Sequence, residues 1–122
     1  MKPFFLAGVL LMANAVSAAT PPAVRSEVAQ LMTAVEKSGC KFNRNGSWYS
    51  AEEARAHLQK KFDYMDKKDL VTSTEVFIEK GASTSSMSGK PYEMQCAGAK
   101  TTTSAAWLNE ELKRVREAKA KK

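Results

Sequence analysis

The chain has 122 residues, with 19 Lys and Arg against 13 Asp and Glu, a formal net charge of +6 and 43% hydrophobic residues. That length supports one domain with a modest core, burying about two-thirds of the surface its unfolded chain exposes. After the first residues no stretch stays apolar for the ~20 positions that a membrane-spanning helix needs.

Lys2 precedes an apolar run from Phe4 to Met12, followed by the small residues Ala15, Val16, Ser17, Ala18 and Ala19. A basic start, a short apolar stretch and small residues at the cut are the order of a secretory signal. Cleavage is expected after Ala18, with Ala19 as the close alternative. Residues 1–18 are thus read as a signal peptide and residues 19–122 as a single compact domain with a basic C-terminal helix end. No cysteine stands at the cut to carry a lipid. The mature form is expected to be periplasmic or secreted, with no transmembrane segment.

Cys40 and Cys96 are the only cysteines, and in an oxidising compartment a disulfide between them is the default. Closing so long a loop contributes about 4 kcal/mol in the chain-entropy model. The pair is not a C-x-x-C redox motif. Two thiols and a single histidine, His57, make a poor zinc site, so neither a metal nor a cofactor is expected.

After Pro21 and Pro22, apolar residues recur at Val24, Val28, Leu31, Met32 and Val35, the spacing of one helical face, and Gly39 ends that helix. Asn45-Gly46 then lies between Phe42 and Trp48, a strong hairpin signal because both turn residues tolerate positive φ. Asn45-Gly46-Ser47 also spells a glycosylation acceptor, but the turn accounts for the same residues. Ser50 and Glu53 form a capping box opening a helix to about Asp66, with Ala51, Ala54, Leu58, Phe62 and Met65 along its buried stripe. Thr72 to Glu75 predict a second box, with Val71 and Val76 as a hydrophobic staple, and a short helix closed by Gly81.

The serine- and threonine-rich stretch from Ala82 to Gly89 reads as an ordered surface loop. Tyr92, Met94 and Cys96 alternate along one face of a half-buried strand, and a last helix starts near Ser104 with Leu108, Leu112 and Val115 inward and Trp107 beside them. The fold class is α+β: a small three-stranded antiparallel sheet, made of the hairpin and one later strand, packed by about four helices and stapled by one disulfide.

Arg44-Asn45-Gly46, Glu53-Ala54 with His57-Leu58, Phe77-Ile78, and Ser86-x-Ser88-Gly89-Lys90-Pro91-Tyr92 form an ordered set of blocks. Together they resemble the YfeK-like family of small, uncharacterised bacterial proteins, over roughly residues 28–112. The resemblance implies a secreted, single compact domain. It supplies no catalytic residues, and it leaves the disulfide a feature of this branch of the family.

Four surfaces are candidate sites. His57, Lys61 and Tyr64 follow at spacings of four and three beside the apolar stripe of their helix. The histidine could serve as an acid or base, with Lys61 lowering its pKa by like-charge repulsion, yet no nucleophile or orienting carboxylate is evident. The plain alternative is a boundary histidine satisfied by a backbone or loop oxygen. The loop residues Ser86, Ser88 and Lys90 could hold an anion or a sugar. This is no Walker loop, since Thr84 stands at the first glycine and Pro91 at the hydroxyl position, and an ordered turn explains the same residues. Arg44, Trp48 and Tyr49 are anchor types around the hairpin. If Trp48 and Phe42 both turn to the core, strand alternation sends Tyr49 outward. The basic tail from Lys113 to Lys122 could attract anionic polymers, or simply be a solvated helix end that suits the helix dipole.

These residues point to a non-enzymatic binding or interaction module of the bacterial cell envelope, whose partner is a protein or an anionic envelope component. Export makes nucleic acid no physiological partner. The alternatives are a small hydrolase or transferase using His57, and a rigid-loop inhibitor of another envelope enzyme.

Overall fold

The computed structural model describes residues 19–121, so the signal-peptide reading of residues 1–18 lies outside the described residues. Helix α1 (Pro22–Lys37) starts on Pro22 at its first position, where a missing amide costs nothing. It buries Val28, Leu31, Met32 and Val35 as the periodicity predicts. Strands β1 (Lys41–Arg44) and β2 (Ser47–Tyr49) follow as a hairpin. Asn45 and Gly46 take φ of 55° and 85°, the double positive φ of a tight two-residue hairpin turn.

Helix α2 (Ala51–Lys67) carries the complete Ser50/Glu53 capping box and buries the stripe from Ala51 to Met65. It ends in a Schellman motif. Asp69 N–H donates to the Asp66 carbonyl at 3.0 Å and Leu70 N–H to that of Met65 at 2.9 Å, with Asp69 at φ 58° in the left-handed position glycine usually fills.

Helix α3 (Thr74–Gly81) departs from expectation at both ends. Its cap is Ser73, whose hydroxyl accepts from Val76 N–H at 3.0 Å, so the box and staple predicted from Thr72 do not form. Starting one residue later lets Thr74 donate to Glu27 at 2.6 Å and turns Phe77 and Ile78 into the core while Val71 is fully buried. Gly81 is the last helical residue, not a left-handed stop. It allows close packing, because a Cβ there would lie 2.7 Å from Met65 Sδ and 3.0 Å from the Phe77 ring.

The sheet has four antiparallel strands in the order β2-β1-β3-β4, with β3 at Glu93–Gln95 and β4 at Thr102–Thr103. The three-stranded expectation is corrected by β4, which pairs Glu93 with Thr103 and Met94 with Thr102. Two threonines carry no readable period, and only the neighbouring strand defines them. Helix α4 (Ser104–Ala120) follows directly, capped by Thr103.

Phe42 pairs with Tyr49 and with Met94, so these side chains share the inner face. Trp48 pairs with Asn43 on the outer face and is 44% exposed. Of the two neighbours that alternation sends to opposite faces, Tyr49 faces inward, and Trp48 is the residue left outside.

One core joins the buried faces of all four helices to Phe42, Tyr92 and Met94. Cys40 and Cys96 are bonded, with Cα atoms 4.2 Å apart, and tie the start of β1 to the end of β3. Arg116 of α4 clamps two other helices through Glu27 (3.0 Å) and Glu75 (2.6 Å), which holds both carboxyls below their usual range. That clamp uses part of the charge of the basic tail internally. Ser104 donates to the Ala82 carbonyl at 2.6 Å inside the core and fixes the start of α4 against the end of α3.

Candidate functional site

Helix geometry places His57, Lys60, Lys61 and Tyr64 along the edge of the α2 stripe. Strand alternation sends Arg44 to the same side as Phe42, where its guanidinium lies 4.8 Å from the Tyr49 ring centroid. The third contributor is the serine turn. Ser85, buried, accepts from the amides of Met87 (3.2 Å) and Ser88 (3.4 Å). Ser85 N–H donates to the Lys90 carbonyl at 2.9 Å, and Gly89 N–H to the Ser85 carbonyl at 2.9 Å. The loop is thus an ordered turn closed on itself, and it sets Ser86 and Ser88 outward.

These three stretches meet. Lys61 Nζ donates to Ser86 Oγ at 2.6 Å, and Ser88 Oγ donates to Asn45 Oδ1 at 2.5 Å, fastening the turn to the hairpin. His57 Nε2 lies 2.9 Å from the Tyr92 hydroxyl, with the rings edge to face at 5.6 Å. Tyr92, 1% exposed, supports the cluster from below and touches Phe42 at 5.4 Å.

Of the residues singled out from sequence, the structure gathers Arg44, Tyr49, His57, Lys61, Tyr64, Ser86 and Ser88 on one side of the molecule. Trp48 lies on the far face of the sheet. Lys90 serves the turn through its main chain. Two residues of the site escaped sequence reading. Tyr92 reads as a core strand residue, and its hydroxyl finds a histidine 35 positions away. Lys60 reads as an ordinary exposed lysine.

Burial, reinforced by Arg44, Lys61 and Lys60, pushes His57 down to about 4. The like-charge effect expected from Lys61 is present, but burial is the larger cause. Burial also lowers Lys61, with Arg44 adding to it, and raises Tyr92. At neutral pH the histidine and the tyrosine are both uncharged, and the positive charge resides on Arg44 and the lysines.

Two adjoining clefts share His57 and Lys60. One, of about 240 Å³, is lined by Phe42, Arg44 and Tyr49 with Glu53 at its edge. The other, of about 580 Å³, is lined by Lys61, Tyr64, Met65, Leu70, Lys80 and Ser86. Four of the five arginines pair with carboxylates: Arg25 with Asp66, Arg55 with Glu36, Arg114 with Glu111, and Arg116 with Glu27 and Glu75. Arg44 is the exception among the described residues. Among the described residues Lys60, Lys61 and Lys80 have no ion pair either. Glu53, the acid beside them, is engaged with the Ser50 backbone at 2.9 Å. The site therefore presents four cations without an ion pair among the described residues, one carboxylate at its edge in Glu53, and hydroxyl donors around a neutral histidine, a net positive arrangement suited to an anion.

Among the described residues no group of three or more His, Cys, Asp or Glu stands together to hold a metal, and no helix is long and apolar enough to cross a membrane. No solved structure matches the chain. It is 39% identical over 64 residues to the uncharacterized protein YfeK of Salmonella typhimurium, an alignment covering 52% of each chain. The chain thus spans about half the length of the curated relative it matches. A family model described as a family of unknown function (DUF5329) matches residues 22–116, from the first turn of α1 to the Arg116 clamp, and the chain belongs to that family.

Proposed function

We propose that the protein is a non-enzymatic binding module, exported to the periplasm or the medium, that holds an anionic component of the bacterial cell envelope at the Arg44–His57–Lys61 groove. The observation that carries this reading is the gathering of Arg44, the one arginine without a carboxylate partner among the described residues, with Lys60, Lys61 and Lys80 around a single cleft system. Unpaired cations of one sign raise the local concentration of anions and speed their capture. Export is supported by the secretory order of the first residues and by the Cys40–Cys96 bridge, a bond that persists in oxidising compartments. A domain beginning at the expected cut is supported by Thr20, which is buried and donates to Asp66 at 2.6 Å.

The hydrolase or transferase alternative draws less support. His57 spends Nε2 on a buried tyrosine, and among the described residues no carboxylate forms a hydrogen bond or ion pair with its ring. The rigid-loop inhibitor alternative has the ordered turn and its exposed Met87 in its favour, but the turn leans on the cationic groove through Lys61 and Asn45 instead of standing clear of the surface.

The test is affinity capture from envelope extract at native salt, with retained lipids and polymers identified by mass. An anionic component should be held by the wild type, released by added salt, and lost in the Arg44→Ala/Lys61→Ala variant. Retention of nothing, or retention that this variant leaves unchanged, refutes the reading. Export is tested on the periplasmic fraction: the mature chain should begin at Ala19, and a chain still beginning at Met1 rejects it.

A further inference from the structure

The larger cleft joins two kinds of surface that a simple anion does not require together. Its floor is apolar: Met65 is almost fully buried, yet Leu70 remains 51% exposed and Tyr64 62% exposed. Leu70 is held in place by the Schellman motif that ends α2. That motif calls for an apolar residue to cover Met65, and it leaves half of Leu70 open toward the cleft. Its lining is cationic, with Lys60 and Lys61 from α2, Lys80 from α3, and Ser86 held by Lys61. At about 580 Å³ the cleft falls within the range of about 300–1,000 Å³ typical of small-molecule sites.

An apolar trough bordered by unpaired lysines is complementary to a molecule that is apolar at one end and anionic at the other. A glycerophosphate headgroup, with hydroxyls beside its anionic oxygens, can occupy both the lysine rim and the adjoining smaller cleft, which a bare carboxylate leaves unfilled. Resting on the anion-binding reading above, we infer that this cleft takes a single-chain anionic lysophospholipid, its phosphate on Lys60, Lys61 and Ser86 and its acyl chain along Met65, Leu70 and Tyr64. The neutral His57, which lines both clefts, adds an uncharged edge between them. Lys60, shared by both clefts, lets the headgroup reach toward Arg44.

The probe is lysophosphatidylglycerol below its micelle-forming concentration, titrated into the full mature protein by calorimetry and by NMR of the methionine methyls. Saturable binding with a shift of the Met65 methyl is expected, while Met87, 91% exposed at the tip of the serine turn, stays unmoved. Leu70→Ser and Lys61→Ala should each weaken binding on the order of tenfold, the cost of one lost apolar contact or one lost charge-assisted bond. Leu70 is half-exposed, so its substitution should leave the fold intact, and the Met65 shift in the wild type tests the site without any variant. Glycerophosphoglycerol, the same phosphodiester headgroup without the chain, should bind at least tenfold more weakly and be indifferent to Leu70→Ser.

Equal affinity for glycerophosphoglycerol and the lysophospholipid overturns the inference and leaves the anion-binding reading standing. Binding only to phosphatidylglycerol vesicles, with Met87 shifting in place of Met65, overturns it in favour of a membrane-docking surface. Failure of both soluble probes also overturns it, and the anion-binding reading is then judged by the Arg44→Ala/Lys61→Ala envelope capture.

Discussion

Acidification should destabilise this protein through His57 before its carboxylates titrate. The unfolded chain protonates the ring near 6.5, whereas the folded site holds it down to about 4 through burial and the cations Arg44, Lys61 and Lys60. Between those values the unfolded state binds more protons, so stability falls as pH drops from about 6.5 toward 4. At about 1.4 kcal/mol per pKa unit the whole shift corresponds to about 3 kcal/mol. The ring is only part-buried, and solvent screening reduces the expected loss to about 1–2 kcal/mol. His57→Gln keeps a hydrogen-bonding group opposite the Tyr92 hydroxyl but cannot titrate, so the comparison isolates the ring. Urea unfolding of both proteins at pH 7, 6, 5 and 4.5 should show the advantage of the wild type shrinking by that amount. Carboxylates held low in the folded state, such as Glu27 and Glu75, lose their contribution at lower pH and cancel in the difference. As the chain has one histidine, its NMR titration is unambiguous. A stability difference that is flat with pH, or a ring that titrates at 6.5 or above, would refute the assignment.

Removing the disulfide as Cys40→Ala/Cys96→Ala should cost about 4 kcal/mol, because it frees a loop spanning 56 residues of separation in the unfolded chain; denaturant midpoints of the two proteins measure it, and a loss below 1 kcal/mol would contradict the loop-entropy account. Asp69→Gly should stabilise by about 0.5–1 kcal/mol, since Asp69 holds φ 58° at the end of α2, where glycine is unstrained. A thermal melt reads the sign, and a lower midpoint would mean that the Asp69 side chain contributes more than its backbone costs. Ser104→Ala leaves the Ala82 carbonyl without its buried donor and should cost about 1–3 kcal/mol; an unchanged unfolding midpoint would show that the α3–α4 junction does not depend on that bond.

Much of the fold was legible because its signals are local. A capping box, an Asn-Gly turn and a stripe at intervals of three and four each reside within a few turns of chain, so α1, α2 and the hairpin are readable from their own residues. Where two neighbouring hydroxyl residues could both cap a helix, as Thr72 and Ser73 do, the local pattern does not choose. Packing did so, by giving Thr74 its bond to Glu27. The orientation of Trp48 was open for a similar reason. Alternation fixes that Trp48 and Tyr49 face opposite ways, but the pairing of Phe42 with Tyr49 decides which faces in. At the candidate site, residue types drew attention to His57, Arg44 and Ser86 separately, while nothing within a short window joins them.

The sequence by itself determined the four helices, the hairpin, and the two cysteines available for a bridge, because hydrophobic period, turn chemistry and caps act over neighbouring residues. Tertiary structure decided what those elements do to one another. It created β4 from two threonines by placing them beside β3, and it set the Tyr92 hydroxyl against His57 across 35 positions. Among the described residues it also paired every arginine but Arg44 with a carboxylate. A charge count gives +6 for the whole chain. Which of those charges remain free, and therefore where an anion can bind, depends on distances between segments far apart in the chain, because electrostatic neutralisation is a matter of ångströms in space and not of spacing along the sequence.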